Sequence, residues 1–286
     1  MALEDIDDLM LKSDKDAVWE LFHENSKTSF VEPHPLYKRW PSNEFVVAWM
    51  RLLQRVKPYR DLPKVALPQQ LPASRRSLDD VVRQRHGAQA FGPGPVGFEQ
   101  LAKVLWMSYG VSRDNEGTAY PRPFRMIPSG GALYPLELYI HASRVEGLAP
   151  GLYHYDPEAH ELDVLRQGDE SEALARCLVQ ADLGRSAAAV VLITAVFARS
   201  VFKYADRGYR FILLEAGHLA QNATLIGQEM GLATAPIGGY ADRDVDRYLG
   251  IDGLNESAIY LFLLGQPGEE GAAEGNAAQA GIPGLV

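Results

Sequence analysis

The sequence predicts an α+β fold, and three observations support that prediction. Helical and strand patterns are intermixed along the chain, without the regular alternation of strand and helix that builds a doubly wound parallel sheet. The segment 209–230 carries apolar residues at spacings of three and four over about six helical turns. Val190–Phe197 and Ile259–Leu264 are continuously apolar, which is typical of central strands.

The composition is that of a globular chain whose partners are not nucleic acids. Of its 286 residues, 47% are apolar, which is enough for a sizeable core. The formal net charge is −9, and no run of Lys and Arg offers a phosphate-binding surface. The N-terminus is acidic where a signal peptide is basic, and the longest apolar run, Ala187–Ala198, is too short to cross a bilayer. We therefore expect no nucleic-acid partner, no membrane span and a cytoplasmic location.

Residues 1–72 form a predicted helical N-terminal extension with proline-rich joints. Ser13–Asp16 is similar to a capping box that opens one helix, and Asn43–Val56 has the apolar spacing of a second, amphipathic helix. Prolines interrupt the remainder at Pro33, Pro35, Pro41, Pro58, Pro63, Pro68 and Pro72. Such a segment either drapes over a core or docks a partner, and the pattern leaves both open.

Residues 73–265 have the pattern of one compact domain. Ser77 is placed to cap a helix that ends at Gly87, and Phe98–Tyr109 predicts a second helix that Gly110 stops.

Strand patterns follow in the same domain. Leu136–Ala142 alternates apolar and polar residues, as a half-buried strand does. Leu152–Tyr155 and Glu161–Leu165 predict a hairpin. Residues 266–286 contain few bulky side chains, which predicts a flexible C-terminal tail.

Two histidines and the cysteine have side chains that can bind metals or react, but their sequence positions favour structural roles. His154 and His160 fall in the hairpin with no third ligand at metal spacing, so we expect surface histidines and no metal site. Cys177 is the single cysteine and occupies an apolar position of the helix-like run Glu172–Ala181, which favours core packing.

The helix predicted over 209–230 is the centre of this organisation. It is apolar on more than one face, so more than one face should be buried. In a chain of this size that indicates the middle of a large domain or the seam of a dimer, and we expect a homodimer. Gly231 suits the left-handed position that follows a helix.

Four motifs occur along the chain: RHGAQAF at 85–91, PSGGALYP at 128–135, KY at 203–204 and PIGGY at 236–240. With these motifs, over about Ser77 to Gly265, the chain resembles the nitroreductase-like FMN proteins. Within them it is most similar to the SagB-type azoline dehydrogenases, which oxidise thiazolines and oxazolines to thiazoles and oxazoles. The resemblance implies a nitroreductase-like fold, in which helices flank a central mixed or antiparallel sheet and the central helix forms the dimer.

The same resemblance implies FMN as the cofactor. The first motif would contact the flavin phosphate, ribityl chain and pyrimidine, the 128–135 loop would reach the partner subunit's flavin, and the last motif would pass the flavin N5 edge. The implied cofactor-binding residues are Arg85, His86, Gln89, Arg125, Pro128, Ser129, Gly131, Leu133, Pro236, Gly238 and Gly239. The chain departs from the family at Gly87 and Gln89, which replace a serine and a basic residue. It also lacks the basic pair that many nitroreductases place near the C-terminus, and Arg85 and Arg125 are the predicted substitutes.

Lys203 and Tyr204 match the Lys-Tyr pair of the SagB-type enzymes, within the longer matching segment KYADRGYRFILLEAGHLAQN. Aromatising an azoline removes a hydride from one ring carbon and a proton from its neighbour. The flavin takes the hydride, and a side chain must take the proton. We therefore predict that Lys203 and Tyr204 form the proton-accepting pair, and the sequence leaves open which of them is the base.

The leading prediction is thus FMN-dependent aromatisation of a thiazoline or oxazoline in a peptide natural product, with dioxygen reoxidising the flavin. The substrate would be a ribosomal peptide or an intermediate bound to a carrier protein, which implies a cyclodehydratase or synthetase partner. Two alternatives remain open: an NAD(P)H-dependent nitro- or quinone reductase, and a flavin-free scaffold of a biosynthetic complex.

Overall fold

A computed structural model describes residues 18–28, 43–53, 56–115, 117 and 122–268. The helices are α1 (Val18–Asn25), α2 (Asn43–Leu52), α3 (Leu78–Gln84), α4 (Phe98–Tyr109), α5 (Ser171–Ala175), α6 (Ala181–Ser186), α7 (Ala198–Tyr204), α8 (Arg207–Glu229) and α9 (Asp242–Leu249). The strands are β1 (Lys64–Ala66), β2 (Phe91–Gly92), β3 (Val111–Arg113), β4 (Phe124–Arg125), β5 (Leu136–Ala142), β6 (Gly151–Asp156), β7 (Glu161–Gln167), β8 (Ala189–Val196), β9 (Ala233–Ile237) and β10 (Glu256–Pro267). Helices and strands intermix as the α+β prediction requires.

The main sheet has the order β1-β7-β6-β5-β8-β10-β2, and β9 also pairs with β10. Every ladder between these strands is antiparallel. The two apolar runs predicted as central strands form β8 and the middle half of β10, and β8 lies between β5 and β10. The edge strand β1 comes from the predicted N-terminal extension, with Val65 opposite Leu162 of β7. The domain boundaries at 72 and 265 stay predictions.

Helices cover both faces of the sheet. Helices α4 and α8 lie on one face, where Leu101, Leu105, Ile212 and Leu219 join the alternate β5 residue Leu138 in one buried cluster. Helices α5, α6 and α9 pack on the other face through a second cluster. Each large apolar side chain buried in this way contributes about 1.5–3 kcal/mol relative to its exposed state.

The central helix α8 covers the sheet with one face only. Ile212, Ala216 and Leu219 are buried, whereas Leu213 and Leu214 are 43% and 59% exposed. The expected burial of more than one face is therefore not achieved within a single chain. The helix ends as predicted, because Gly231 has a left-handed φ of 77°. The homodimer stays a prediction, and Leu213 and Leu214 belong to the surface that it would cover.

Strand β5 departs from the half-buried prediction, because all seven of its residues are buried. The polar members of the alternating pattern, Glu137 and His141, face other polar groups instead of solvent. The prediction of surface histidines is also wrong, since His154 and His160 are 0% and 3% exposed. An alternating pattern shows that two faces differ in polarity, and it does not show that the polar face meets water.

Several element boundaries differ from the sequence prediction. Ser77 accepts the Asp80 N–H as predicted, but α3 ends at Gln84, and α2 ends at Leu52. The run 172–181 is not one helix: it covers most of α5 and only the first residue of α6, and the partly buried Cys177 lies between the two helices. Residues 13–16, the predicted first cap, and most of the predicted tail lie outside the described residues. Within the described part of the chain, no helix is long and apolar enough to cross a membrane.

Two glycines of α8 test how tightly this helix packs on the sheet. A Cβ added at Gly227 would lie 2.6 Å from Thr234 Cγ2, and Thr234 is fully buried. We expect Gly227→Ala to lower the free energy of unfolding by about 1–3 kcal/mol through overpacking. Urea denaturation followed by circular dichroism measures this change.

The matched control is Gly217→Ala in the same helix, where an added Cβ meets nothing within 4 Å. This change should raise the free energy of unfolding by up to about 1 kcal/mol through helix propensity alone. Equal effects of the two substitutions would contradict the packing described for Gly227.

Candidate active site

The loop 128–135 has an unusual backbone at the start of β5. Gly131, Ala132 and Tyr134 have positive φ angles of 65°, 53° and 46°. Non-glycine residues in this region each cost about 1–3 kcal/mol, so surrounding contacts must hold them. Two such contacts involve Tyr134, whose N–H donates to Ser129 Oγ at 3.0 Å and whose hydroxyl accepts the Arg125 N–H at 3.0 Å. These two hydrogen bonds thus hold the loop in its strained conformation.

Lys203 and Tyr204 meet this loop at Gly131. An added Cβ on Gly131 would lie 2.5 Å from Tyr204 Oη and 2.8 Å from Lys203 Nζ. Lys203 Nζ also lies 5.2 Å from the centre of the Tyr204 ring. Because glycine has no Cβ, both side-chain ends fit beside the backbone here without being displaced. The structure therefore brings together the predicted proton-accepting pair and part of the predicted flavin loop.

The pair occupies the last turn of α7, just before the long helix α8. Ala205, with a positive φ of 47°, separates α7 from α8. Tyr204 also packs edge-on against Phe211 of α8, with ring centres 4.9 Å apart. The break at Ala205 lets the pair point at the loop while α8 covers the sheet.

A buried ion pair connects α7 to the strand that follows the loop. Arg199 Nη2 lies 2.6 Å from Glu137 Oε1, and both side chains are 3% exposed. Arg199 precedes Lys203 by one helical turn, and Glu137 is the second residue of β5. Burial alone raises the pKa of Glu137, but the Arg199 guanidinium and His154 overcome it and bring this pKa down to about 2. Glu137 is therefore ionised at neutral pH and anchors α7 beside the loop.

His154 extends this ion pair into the hairpin. Its Nε2 lies 2.7 Å from Glu137 Oε2, and its Nδ1 lies 3.1 Å from Asp163 Oδ2. Burial lowers the pKa of His154, and the hydrogen bonds to both carboxylates raise it above the usual value. Among the described residues, no group of His, Cys, Asp or Glu has the arrangement of a metal site. His154 therefore serves as a bridge between two acidic side chains.

The other side of the loop is packed against α4 and α8. The Arg125 guanidinium stacks over the Tyr109 and Tyr134 rings at 4.3 Å and 5.1 Å, and the Arg125 residue is 6% exposed. A cavity of about 540 Å³ opens beside the loop and is lined by Arg125, Pro128, Ser129 and Gly131. These four predicted cofactor-binding residues thus share one concave surface.

Leu133 points away from that cavity. Its side chain is 1% exposed and packs against Val46 and Met50 of α2. Its carbonyl oxygen accepts Arg122 Nη1–H at 3.0 Å, and Arg122 Nη2 also donates to the Met50 carbonyl at 2.7 Å. Leu133 therefore joins the loop to helix α2.

The remaining predicted residues lie on other elements. Arg85, His86 and Gln89 are exposed at and after the end of α3, and Gly238 is exposed after β9. The Ala88 N–H donates to the Thr234 carbonyl at 2.8 Å, so the first motif is fastened to β9. None of these residues, nor Pro236 or Gly239, lines the cavity beside Gly131.

Sequence reasoning missed Glu137, Arg199 and Glu215 as parts of this site. All three are charged residues within otherwise apolar segments, and each is 3% exposed or less. That placement was the available signal, because a buried ionisable group needs a partner.

Residues 82–266 match the model of the nitroreductase family. This chain belongs to the nitroreductase family. It is 32% identical to "Putative nitroreductase MJ1384" of Methanocaldococcus jannaschii, over 66% of this chain and 90% of that protein. The antiparallel sheet flanked by helices is thus the nitroreductase-like fold that the sequence predicted.

Two relatives are named for the processing of peptide products. The chain is 31% identical to the microcin B17-processing protein McbC of Escherichia coli, over 51% of this chain. It is 25% identical to the trifolitoxin-processing protein TfxB of Rhizobium leguminosarum bv. trifolii, over 71% of this chain. Each match covers 56% of the relative's own length, so it spans little more than half of either protein.

Solved structures share the fold. A "putative nitroreductase" of Anabaena variabilis has a TM-score of 0.62 at 25% identity, covering 84% of this chain and 50% of that one. In the E. coli microcin synthetase McbBCD complex with truncated pro-MccB17 bound, the matched chain has a TM-score of 0.56 at 22% identity, covering 88% of this chain and 93% of that one. At that identity the second likeness concerns the fold alone.

Gly131→Ala tests the contact between the loop and the Lys203–Tyr204 pair. The added methyl must displace the Tyr204 hydroxyl and the Lys203 ammonium, which are ends of flexible side chains. We expect a loss of about 1–2 kcal/mol in the free energy of unfolding from the left-handed backbone, together with a shifted Tyr204 ring resonance. Denaturation and NMR of ¹³C-labelled tyrosine measure the two effects.

The control is Gly147→Ala, because Gly147 has a φ of 73° and nothing within 4 Å of an added Cβ. It should lose a similar amount of stability and leave the Tyr204 resonance unchanged. An unchanged resonance in Gly131→Ala would show that the close approach at Gly131 is not present in solution.

Proposed function

We propose that this nitroreductase-family chain is an FMN-dependent dehydrogenase that aromatises thiazoline or oxazoline rings in a peptide-derived product. The observation that carries the proposal is the convergence of Lys203 Nζ and Tyr204 Oη on Gly131 of the 128–135 loop. Two relatives named for microcin B17 and trifolitoxin processing support a peptide-derived substrate. Together these findings favour azoline oxidation over other chemistries of the family.

The residues of this chain fit FMN in three respects. Arg85 is an exposed cation at the end of α3 and suits a phosphate. Gly238 is exposed after β9, and without a side chain its backbone N–H is open to a ring edge. Pro128, Ser129 and Gly131 line an open cavity. In the proposed homodimer the loop of one chain would face the Arg85 and Gly238 segments of the other.

The reaction divides between the cofactor and the side chains of the chain. FMN, when bound, supplies the acceptor for the hydride from one ring carbon and passes the electrons to dioxygen. Lys203 and Tyr204 take the proton from the neighbouring carbon, so that both the C–H bonds broken in aromatisation are accounted for. The Arg199–Glu137 ion pair holds the helix that carries them. We propose that the pair lies across the substrate ring from the flavin.

The substrate would be presented by another protein. A peptide processed by a cyclodehydratase, or an intermediate on a carrier protein, would bring the azoline ring to the cavity beside Gly131. The McbBCD structure is a complex with truncated pro-MccB17 bound. That observation describes the E. coli complex. For this chain we propose a homodimer that works with a cyclodehydratase or synthetase.

A second function has one observation in its favour. The relative MJ1384, matched over 90% of its length, is named as a nitroreductase. Under anaerobic conditions, bleaching of the bound flavin by NAD(P)H would favour this reductase function, whereas bleaching by an azoline peptide would favour the dehydrogenase.

Lys203→Ala and Tyr204→Phe test the proposed proton acceptors. A positioned general base contributes about 10²–10⁴-fold, so each substitution should lower kcat on an azoline peptide by roughly that factor. FMN content should stay at the wild-type level, because neither side chain is assigned to the cofactor. Stopped-flow flavin reduction at matched FMN occupancy measures the step.

The control for this test is Lys27→Ala, an exposed lysine paired with Glu24 of α1. It should leave kcat unchanged. Near wild-type turnover in both Lys203→Ala and Tyr204→Phe would make the pair structural and would remove the main support for azoline oxidation.

Arg85→Ala tests the phosphate contact. A charged hydrogen bond contributes about 1.5–3 kcal/mol, so the substitution should weaken FMN binding by about 10- to 100-fold. Flavin fluorescence quenching gives the Kd. Arg83→Ala, two residues earlier and also exposed, is the matched control and should bind FMN normally. Unchanged affinity in Arg85→Ala would place the phosphate elsewhere.

A further inference from the structure

Glu215 is a buried acid at the centre of the molecule that the proposed reaction does not use. It lies in the third turn of α8, is 2% exposed, and faces the loop 128–135 and helix α4. Its neighbours are Tyr109 of α4 and Ser129 of the loop. A carboxyl group in this position needs its hydrogen bonds matched, because an unsatisfied polar group in a core is costly.

The available hydrogens show which protonation state matches these neighbours. Tyr109 Oη lies 3.0 Å from the Leu136 carbonyl oxygen and 3.4 Å from Glu215 Oε1. The carbonyl can only accept, so it takes the single phenolic proton. A protonated Glu215 oxygen can then donate to Tyr109 Oη, whereas a carboxylate in the same place would compete with the carbonyl for the phenolic proton.

The same accounting applies at Ser129. Its Oγ accepts the Tyr134 N–H at 3.0 Å, which leaves the hydroxyl proton for its hydrogen bond with Glu215. The second, unprotonated oxygen of a neutral carboxyl is the matching acceptor. A neutral Glu215 thus satisfies Tyr109 and Ser129 at once, whereas a carboxylate would take the proton that the Leu136 carbonyl needs.

We propose that Glu215 is a positioning residue: as a neutral carboxylic acid it holds Ser129, and through Ser129 and the Tyr134 N–H it fixes the left-handed backbone of the 128–135 loop. The link to function rests on the proposed role of this loop in FMN binding. The effect of Glu215 on loop geometry depends only on its contacts with Tyr109 and Ser129. The effect on the loop and the effect on FMN binding can therefore be tested separately.

Among Glu215 and the ionisable side chains around it, only Glu215 changes its charge near neutral pH. Burial raises its pKa to about 8, against the opposing effects of Ser129, Arg125 and Tyr109. Burial also raises the pKa values of Tyr109 and Tyr134, so both stay neutral at this pH. Arg125 stays charged, and Glu137 and Arg199 act on Tyr109 from further away.

The sign of the expected pH effect follows from that raised pKa. In the folded chain Glu215 holds its proton above the ordinary value of 4.5, so the native state binds more protons than the unfolded one. The stabilisation is fully present below the unfolded value and is lost as the pH rises through about 8. Above that pH an ionised Glu215 still accepts from Ser129, but it competes with the Leu136 carbonyl for the Tyr109 proton and should disturb the end of the loop, where β5 begins.

The test compares wild type with Glu215→Gln and Glu215→Leu in the full chain. An amide can donate to Tyr109 and accept from Ser129 without titrating, while leucine can do neither. At pH 6.5 we expect Glu215→Gln to bind FMN within about threefold of wild type and Glu215→Leu to bind it at least about tenfold more weakly. Between pH 6.5 and 9.5 wild type should lose FMN affinity and melting temperature relative to Glu215→Gln. The contribution of His154 cancels in this comparison, because both proteins share it.

A readout on the loop itself keeps the test independent of FMN. In ¹⁵N NMR of the chain without added FMN, the Gly131 amide resonance should titrate near pH 8 in wild type and stay constant in Glu215→Gln. Failure of Glu215→Gln at pH 6.5, or a Gly131 resonance that ignores pH in wild type, would overturn the positioning role. If no variant binds FMN but the Gly131 titration behaves as stated, the positioning role stands and the proposed cofactor fails.

Discussion

The candidate site depends on the buried ion pair between Arg199 and Glu137. Removing two charges from water is expensive, and it is compensated here by a 2.6 Å contact and by the bond from His154 to the second carboxylate oxygen. Because Arg199 lies on α7 and Glu137 on β5, the pair sets the distance between Lys203–Tyr204 and the strand that begins after the loop. Removing Glu137 would leave the Arg199 guanidinium buried without its carboxylate partner, at a cost of about 3–5 kcal/mol.

The loop stores backbone strain that its neighbours hold in place. Ala132 and Tyr134 are left-handed residues with side chains, and the Ser129 and Arg125 contacts described above keep them so. Gly131 adds a close approach of Tyr204 Oη and Lys203 Nζ to the backbone, which a larger residue would push apart. Strain of this kind clusters at functional sites, where a preformed geometry is needed before a ligand arrives. In this chain it coincides with the meeting point of two motifs that lie far apart in sequence.

The division of the site residues has a consequence for assembly. The cavity beside Gly131 is lined by the loop and Arg125, and the exposed Arg85 and Gly238 segments lie outside it. Helix α8 leaves Leu213 and Leu214 exposed on the face that does not cover the sheet. A dimer across that surface would bury apolar side chains and complete the proposed flavin site in one step. The proposed dimer would therefore account for both the exposed face of α8 and the separation of the site residues.

By itself the sequence determined the helix over 209–230, the strands around 190–197 and 259–264, the hairpin, and the family motifs. These features are local or periodic, so a short window of residues contains the information that specifies them. The tertiary structure alone decided that Glu137, His154 and Glu215 are buried, that α7 ends at Tyr204, and that Tyr204 reaches Gly131. Those outcomes depend on partners distant in the chain, because a polar residue in a strand or helix faces water or another polar group according to what packs over it. The periodic pattern in the sequence is the same whether the polar residue faces water or a buried polar partner.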